Sequence, residues 1–283
     1  MALRIFTNLS SLNAQRALET GRSRLGRSIN RIASGIRINS SADDGAGLAI
    51  SESLRSDVRT LKQGAKNLGD GLAMVQTAEG ALNEQGNILI RLRELASQSA
   101  TGTIGQTERE TLNLEFNALR SEMDRIAQTT EFNGTKLIDG TLASGSSTSI
   151  VLQVGLDSSA NNRINLNQEL DLTAVTSQSL GLDDETIATN SGALNAMSAL
   201  TSAIDQLISV RGNVGSVQNR LNTALNTLNA SIENLTSAVS SIRDADLAEE
   251  VAQLTKDQIV VQAAAAMVGQ ANLIPQSVLT LLQ

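Results

Sequence analysis

The residues best equipped for chemistry are carboxylates: the adjacent pair Asp43–Asp44, the run Asp183–Asp184–Glu185, and Asp244 with Asp246. Carboxylates that converge on one point can hold a divalent cation or divide acid and base roles. Adjacent residues at a helix start do not converge, but their negative charge suits a helix N-terminus. Asp43–Asp44 therefore predicts helix initiation. Asp183–Glu185 reads as a solvated loop face, and Asp244 with Asp246 as a second linker or helix start. The chain has no histidine and no cysteine, which removes imidazole and thiol mechanisms, disulfides and most zinc sites. Gly69 and Gly71 are followed by a continued heptad rather than a nucleotide loop, so they are helix-surface or close-packing positions. No spacing supplies a base to any serine. No catalytic residue, metal ligand or cofactor is expected, and the chain does not read as an enzyme.

The 283 residues carry 22 Lys+Arg against 29 Asp+Glu, a formal net charge of −7. That sign argues against a nucleic-acid binder or a ligand of acidic membranes, because phosphate contacts need positive charge. No apolar stretch reaches the length of a membrane span, so no membrane insertion is expected. The opening Met1–Leu12 lacks the apolar block of a secretory signal peptide. Hydrophobic residues make up 41% of the chain but aromatic residues only 1%. Leu, Ile, Val and Ala must do the packing, which favours long, thin helical bodies.

Those bodies are visible as heptads. Leu54, Leu61, Leu68, Val75, Leu82 and Leu89 recur at steps of seven, with Val58, Ala65 and Leu72 on the neighbouring stripe. Leu200, Leu207, Val214, Leu221, Leu228, Leu235 and Ile242 repeat the pattern, interrupted on the partner stripe by Arg211 and Gln218. Such spacing predicts knobs-into-holes packing between helices. Leu61, Leu68, Leu207, Leu221 and Leu228 are the expected core of this bundle. A shorter run, Leu112, Phe116, Leu119, Met123 and Ile126, follows Thr107 and Glu110, whose spacing fits a capping box. Leu54–Ala100 and Thr107–Gln128 predict an antiparallel pair, completed by a long helix over Leu194–Ile242. On the surface of the first, Arg91, Arg93 and Glu94 read either as local ion pairs or as a contact patch.

The ends form a second set. Leu18, Leu25 and Ile32, alternating with Ile29 and Ile36, predict a helix from about Leu9 to Ile36. Val251, Leu254, Val261, Ala265 and Val268 predict a second near the C-terminus, pairing with the first. Glycines at 21, 26, 35 and 269 weaken both by about 1 kcal/mol each, so these helices are expected to order only within a larger assembly. Gly35–Gly47 is the expected linker. In mid-chain, Phe132–Asn133–Gly134 and Asp139–Gly140 are turn signals. Ser149–Gly155 and Arg163–Leu166 predict one small β-hairpin region continuing towards Leu172. Thr173–Ser191 is polar and carries no element assignment. The fold class is mainly α: an elongated antiparallel helical bundle and coiled coil made by the N- and C-terminal regions, with a small mid-chain β-hairpin region. Its segments are 1–42, 43–140, 141–190, 191–242 and 243–283, the first pairing with the last and the second with the fourth.

Several stretches together resemble the bacterial flagellin family over essentially the whole chain. Leu9–Arg16 is similar to its opening helix, and Ser34–Gly35–Ile36–Arg37–Ile38–Asn39–Ser40–Ser41–Ala42–Asp43–Asp44–Gly45 through Ile50 to its most distinctive motif. Arg91–Leu92–Arg93–Glu94–Leu95–Ala96–Ser97–Gln98, Phe132–Asn133–Gly134–Thr135–Lys136–Leu137, and Asn272–Leu273 followed by Val278, Leu279, Leu281 and Leu282 add to the resemblance. It implies a secreted, extracellular structural subunit that polymerises into the motile flagellar filament. Paired terminal helices would line an inner tube, with Leu25, Ile29, Ile32, Val251, Leu254 and Val261 as assembly residues, and the heptad bundle would form an outer tube. It also implies export as an unfolded chain through the flagellar secretion apparatus, an export chaperone for the C-terminal helix, and filament-cap and hook-associated proteins as partners.

Arg91, Leu95, Gln98 and Glu115 match the family epitope for Toll-like receptor 5, an innate immune receptor of animals. Ile90, however, stands where such flagellins have glutamine. The short mid-chain implies a comparatively smooth filament surface. The alternative reading is a hook–filament junction protein, similar in both terminal regions. A surface module for polysaccharide or host protein is a third class, disfavoured because no aromatic platform supports sugar stacking.

Overall fold

The computed structural model describes residues 8–281, with side chains as far as Leu273. The opening residues 1–7, and the side chains of the closing motif Val278, Leu279, Leu281 and Leu282, lie outside the described residues. Four of the five long helices begin on a side-chain cap. For α1 (Leu9–Ser34), Asn8 accepts the N–H of Ser11 at 3.1 Å. For α2 (Gly45–Ser99), Asp44 Oδ1 accepts the N–H of Gly47 at 2.9 Å. For α5 (Asn190–Arg243), Thr189 Oγ1 accepts the N–H of Gly192 at 3.1 Å. For α6 (Leu247–Leu281), Asp246 Oδ1 accepts the N–H of Ala248 at 2.8 Å. Two of the carboxylates that opened the chemical search, Asp44 and Asp246, thus serve unpaired helix donors. Because the Asp44 cap sets its start, α2 begins at Gly45, well ahead of Leu54, and the linker shortens to residues 35–44. Gly35 closes α1 at φ +69°, the left-handed conformation that glycine adopts without steric cost.

The chain divides into two compact units: residues up to Ser56 with those from Asn234 onward, and Asp57–Glu233. In the first, α1 and α6 run antiparallel. Asn8 Nδ2 donates to the Ala271 carbonyl at 2.7 Å and Ser11 Oγ to Asn272 Oδ1 at 2.8 Å. Gly21 meets Val261, and Arg31 meets Glu250. At the far end the Arg37 N–H donates to the Arg243 carbonyl at 2.7 Å and the Ala245 N–H to the Gly35 carbonyl at 3.0 Å.

The second unit contains the rest of α2, then α3 (Gln106–Thr129) and most of α5 (Asn190–Arg243). Leu61, Leu68, Val75, Leu82 and Leu89 of α2 are buried, as are Leu200, Leu207, Val214, Leu221 and Leu228 of α5. Phe116 and Met123 of α3 are fully buried as well. Buried Gln85 donates Nε2 to the carbonyls of Met123 (3.2 Å) and Val175 (2.8 Å), while its Oε1 has no partner among the described residues. The expected capping box is absent. Gly105 is the cap of α3, so Thr107 falls inside the first turn, and Glu110 accepts from Gln106 instead. The α2–α3 turn is closed by Arg109, which donates to the carbonyls of Ser99 (2.8 Å) and Thr101 (2.9 Å).

Two hairpins stand where one was expected. β1 (Glu131–Phe132) and β2 (Thr135–Lys136) are joined by Asn133 (φ 49°) and Gly134 (φ 78°), the positive-φ pair of a two-residue turn. β3 (Val151–Gln153) pairs with β4 (Arg163–Asn165), Leu152 opposite Ile164. The strand does not continue to Leu172: Leu166–Leu170 form a short helix, α4. Buried Asn167 fixes that turn, accepting the N–H of Ile150 at 2.8 Å and donating to the carbonyls of Thr141 (3.1 Å) and Thr148 (2.8 Å). The following segment, through Thr189, is irregular, yet it buries Val175, Leu180, Leu182 and Ile187. Arg120 holds it by its carbonyls at Leu182 and Glu185, and Asp124 by the N–H and hydroxyl of Ser177.

The β3–β4 hairpin lies directly on α2. A Cβ on Gly64 would collide with the Val154 carbonyl, and one on Gly71 with the Leu152 side chain, whereas Gly69 faces open space. Asn67 Nδ2 donates to the Gln153 carbonyl at 2.9 Å between them. Gly64→Val should therefore lower the unfolding free energy of this unit by about 1–3 kcal/mol through overpacking. Gly69→Ala should raise it by up to about 1 kcal/mol. Denaturant melts of the two variants check both signs.

Candidate assembly surface

The seam between α1 and α6 is built from two rows on each helix. On α1, covered positions recur at steps of three and four: Ser11, Ala14, Leu18, Gly21, Leu25, Ser28 and Ile32. On α6 they are Glu250, Leu254, Asp257, Val261, Ala264, Val268 and Ala271. The fully buried members are the small or polar ones: Ser11, Gly21 and Ser28 facing Glu250, Asp257, Ala264 and Ala271. Small side chains let the two backbones approach, and at Gly21 an added Cβ would lie 3.1 Å from a Val261 methyl. Leu25, Ile32, Leu254 and Val261 are half-buried on the flanks, while Ile29 and Val251 are exposed. Apolar periodicity located the leucine row and missed the small row. A glycine–serine–alanine repeat at steps of seven was the available signal.

The seam's outer surface is unusually apolar. Leu9, Leu12 and Ile29 are exposed on α1, and Leu247, Val251, Ile259, Val260, Met267 and Leu273 on α6. Ile259 and Met267 are each 62% open. A helix that is apolar on every side is normally covered on every side, and contiguous exposed apolar surface marks a protein–protein contact.

Polar contacts fix the linker end of the same unit. Arg31 Nη1 donates to Glu250 Oε1 at 3.0 Å, and its guanidinium lies 4.0 Å from Asp43. Asp43 Oδ2 accepts from the N–H groups of Ser40 (3.0 Å) and Asn39 (3.3 Å) and from the Ser40 hydroxyl. The Ser40 N–H, chiefly, holds the Asp43 carboxyl below its ordinary range, helped by the Ser40 hydroxyl, Asn39 and Arg31 and opposed by burial. Arg243 bonds Glu52, and Arg37 donates to the Ile242 carbonyl at 2.7 Å.

In the second unit, Leu61, Leu68, Leu207, Leu221 and Leu228 face the interior. Arg91 reaches from α2 to Glu115 of α3 (2.8 Å) and also bonds Glu94 (3.1 Å), which raises the arginine's pKa. Gln98 and Ile90 are exposed beside it, but Leu95 is 1% exposed and supports the patch from beneath. Among the described residues, no cluster of three or more His, Cys, Asp or Glu is placed to hold a metal. No described helix is long and apolar enough to cross a membrane.

Fold and surface define a class: a helical subunit whose terminal pair exposes apolar surface fitted to further copies. A family model described as the bacterial flagellin N-terminal helical region matches residues 5–143, and its C-terminal counterpart matches 197–282. The flagellin of Halalkalibacterium halodurans is 40% identical over 276 residues, covering 98% of each chain. That of Bacillus subtilis is 39% identical over 304 aligned residues, covering 99% of this chain and all of its own. A Vibrio parahaemolyticus structure assigned to a flagellar hook-associated protein matches 71% of this chain with TM-score 0.57 at 14% identity, a likeness of fold alone. The chain belongs to the bacterial flagellin family. It is a non-enzymatic structural subunit that polymerises into the extracellular flagellar filament used for motility.

Two measurements check the linker chemistry. Arg31→Ala leaves Glu250 buried without its cation and should cost about 3 kcal/mol, read as a lower thermal dissociation temperature of filaments. The lowered Asp43 pKa stabilises the folded linker above the ordinary carboxylate range, and that contribution is lost as pH falls through the folded value. Asp43→Asn should remove this part of the acid sensitivity, measured as the pH midpoint of filament dissociation.

Proposed function

We propose that α1 and α6 form the inner tube of the filament and that the Asp57–Glu233 unit forms the outer tube. The observation that carries this reading is the apolar surface on several sides of α6, of which α1 covers one. Leu25, Ile32, Leu254 and Val261 pack the flanks of the helix pair, and Ile29 and Val251 reach neighbouring copies. Leu61, Leu68, Leu207, Leu221 and Leu228 hold the outer bundle together. The corresponding domain scheme has 1–42 and 243–283 in the inner tube, 43–140 and 191–242 as the segments whose helices run into the outer bundle at Asp57 and Glu233, and 141–190 as the short surface segment.

The same exposed apolar helix explains the need for an export chaperone, because α6 would aggregate if released uncovered. Passage through the flagellar secretion apparatus suits a chain without disulfides, whose ends order on assembly. Filament-cap and hook-associated proteins complete the list of partners at the two ends of the polymer. The Arg91, Gln98 and Glu115 surface, with Leu95 beneath it, is the candidate contact for a neighbouring subunit or for Toll-like receptor 5. Ile90 replaces a polar contact there with an apolar one.

Heat-dissociated monomer added to short filament seeds should elongate into long uniform filaments by electron microscopy, and a chain lacking residues 1–30 should not. Failure of the intact chain would favour the hook–filament junction role. Growth of the truncated chain would overturn the inner-tube assignment.

A further inference from the structure

Charge in the terminal unit is divided lengthwise. Through residues 8–30, α1 carries Arg16, Arg22, Arg24 and Arg27 against Glu19 alone, and the stretch of α6 from Val251 onward adds only Lys256 and Asp257, which cancel. The linker end has the opposite sign. Asp43, Asp44, Glu52, Asp244, Asp246, Glu249 and Glu250 outnumber Arg31, Arg37, Arg55 and Arg243 there. Each end therefore carries a surplus of three charges, positive on the helix pair and negative at the linker.

Among the described residues, these arginines find no carboxylate partner. Arg16, Arg22, Arg24 and Arg27 are all exposed. Arg27 bonds only the Ser23 hydroxyl, at 3.0 Å. Arg16, Thr20, Ser23 and Arg27 follow one outward ridge of the helix over about three turns, with Arg22 and Arg24 on its two sides. At the acidic end the described contacts of Asp44, Asp244 and Asp246 are to hydroxyl or backbone groups, not to cations. Glu249 is exposed in the first turn of α6.

We infer that the arginine ridge of α1 is the docking surface for the acidic linker end of a second copy of this chain. A polymer built on an open helical lattice uses heterologous contacts, in which one patch meets a different patch of the next copy. Two oppositely charged ends on one unit satisfy that requirement, and like ends repel. Exposed Leu9, Leu12 and Ile29 on the same helix supply non-directional attraction. The charges select the partner's end and its axial register, and speed encounter. This inference rests on the inner-tube reading and adds the sign and direction of its contacts.

The test is seeded elongation with wild-type seeds and full-length monomers, followed by turbidity and electron microscopy across sodium chloride concentrations. Wild-type elongation should slow as salt rises. The variant Arg24→Glu/Arg27→Glu should elongate more slowly by about tenfold or more at low salt. Its homopolymerisation should recover when Asp244→Arg and Glu249→Arg are added to the same chain, since the ridge is then net negative and the linker end net positive, and each copy carries both reversed patches. Arg24→Gln/Arg27→Gln should lie between and lose the salt dependence. Salt-independent elongation, or wild-type behaviour of the glutamate variant, overturns the inference. Ile259→Ser separates the two levels. If it blocks growth while the charge variants do not, only the electrostatic docking fails; if it too grows normally, the inner-tube reading fails with it.

Discussion

Helix α6 has apolar residues on more sides than one chain can cover, and the rest of the terminal unit is arranged around that constraint. Helix α1 covers one side, and it does so closely at Gly21, which presents no side chain to Val261. On the inner-tube reading, what remains exposed, from Leu247 to Leu273, is the surface on which further copies assemble. Burying one exposed Ile or Met side chain is worth up to about 1.5–3 kcal/mol. An exposed ion pair contributes about 0–1 kcal/mol. On the proposed docking, apolar contact therefore sets how strongly subunits hold, and charge sets which ends meet.

The second unit solves the opposite problem. Its apolar rows are satisfied within the chain, so Leu68, Leu82, Leu89, Leu200 and Val214 have essentially no exposure. The irregular segment between α4 and α5 completes that closure. Arg120, Asp124 and Gln85 each spend side-chain hydrogen bonds on its backbone, which gives a segment without regular structure the partners that buried peptide groups require. One unit buries its apolar rows on folding, and the other leaves apolar surface exposed.

The long helices were legible because a seven-residue apolar repeat over many turns has few other causes, and Asn133–Gly134 announced its turn by chemistry that only a positive φ explains. Three features were not legible. The start of α2 was hidden from the heptads, because its first turn, Gly45–Leu48, has little apolar periodicity and only the Asp43–Asp44 pair signalled it. The role of Thr173–Thr189 was hidden because isolated apolar residues at Val175, Leu180, Leu182 and Ile187 have no period to detect. The α1–α6 seam was read from its leucines, although its closest contacts come from glycine, serine and alanine, which composition scores as weak helix formers or neutral filler. Gly69 and Gly71 were read as helix-surface or close-packing positions, and the fold makes Gly69 the first and Gly71 the second; the close approach at Gly64 was not read, because only the fold places the β3–β4 hairpin over it.

Hydrogen exchange of the α6 amides, compared between soluble monomer and filament, tests the central claim most directly. If α6 is completed only by neighbouring copies, amides from Val251 to Met267 should exchange at least about 100-fold more slowly in the filament. Those of α2 near Leu82 should be protected equally in both states. Strong and equal protection of α6 in the monomer would contradict the account, because it would mean that α1 alone suffices to hold the helix.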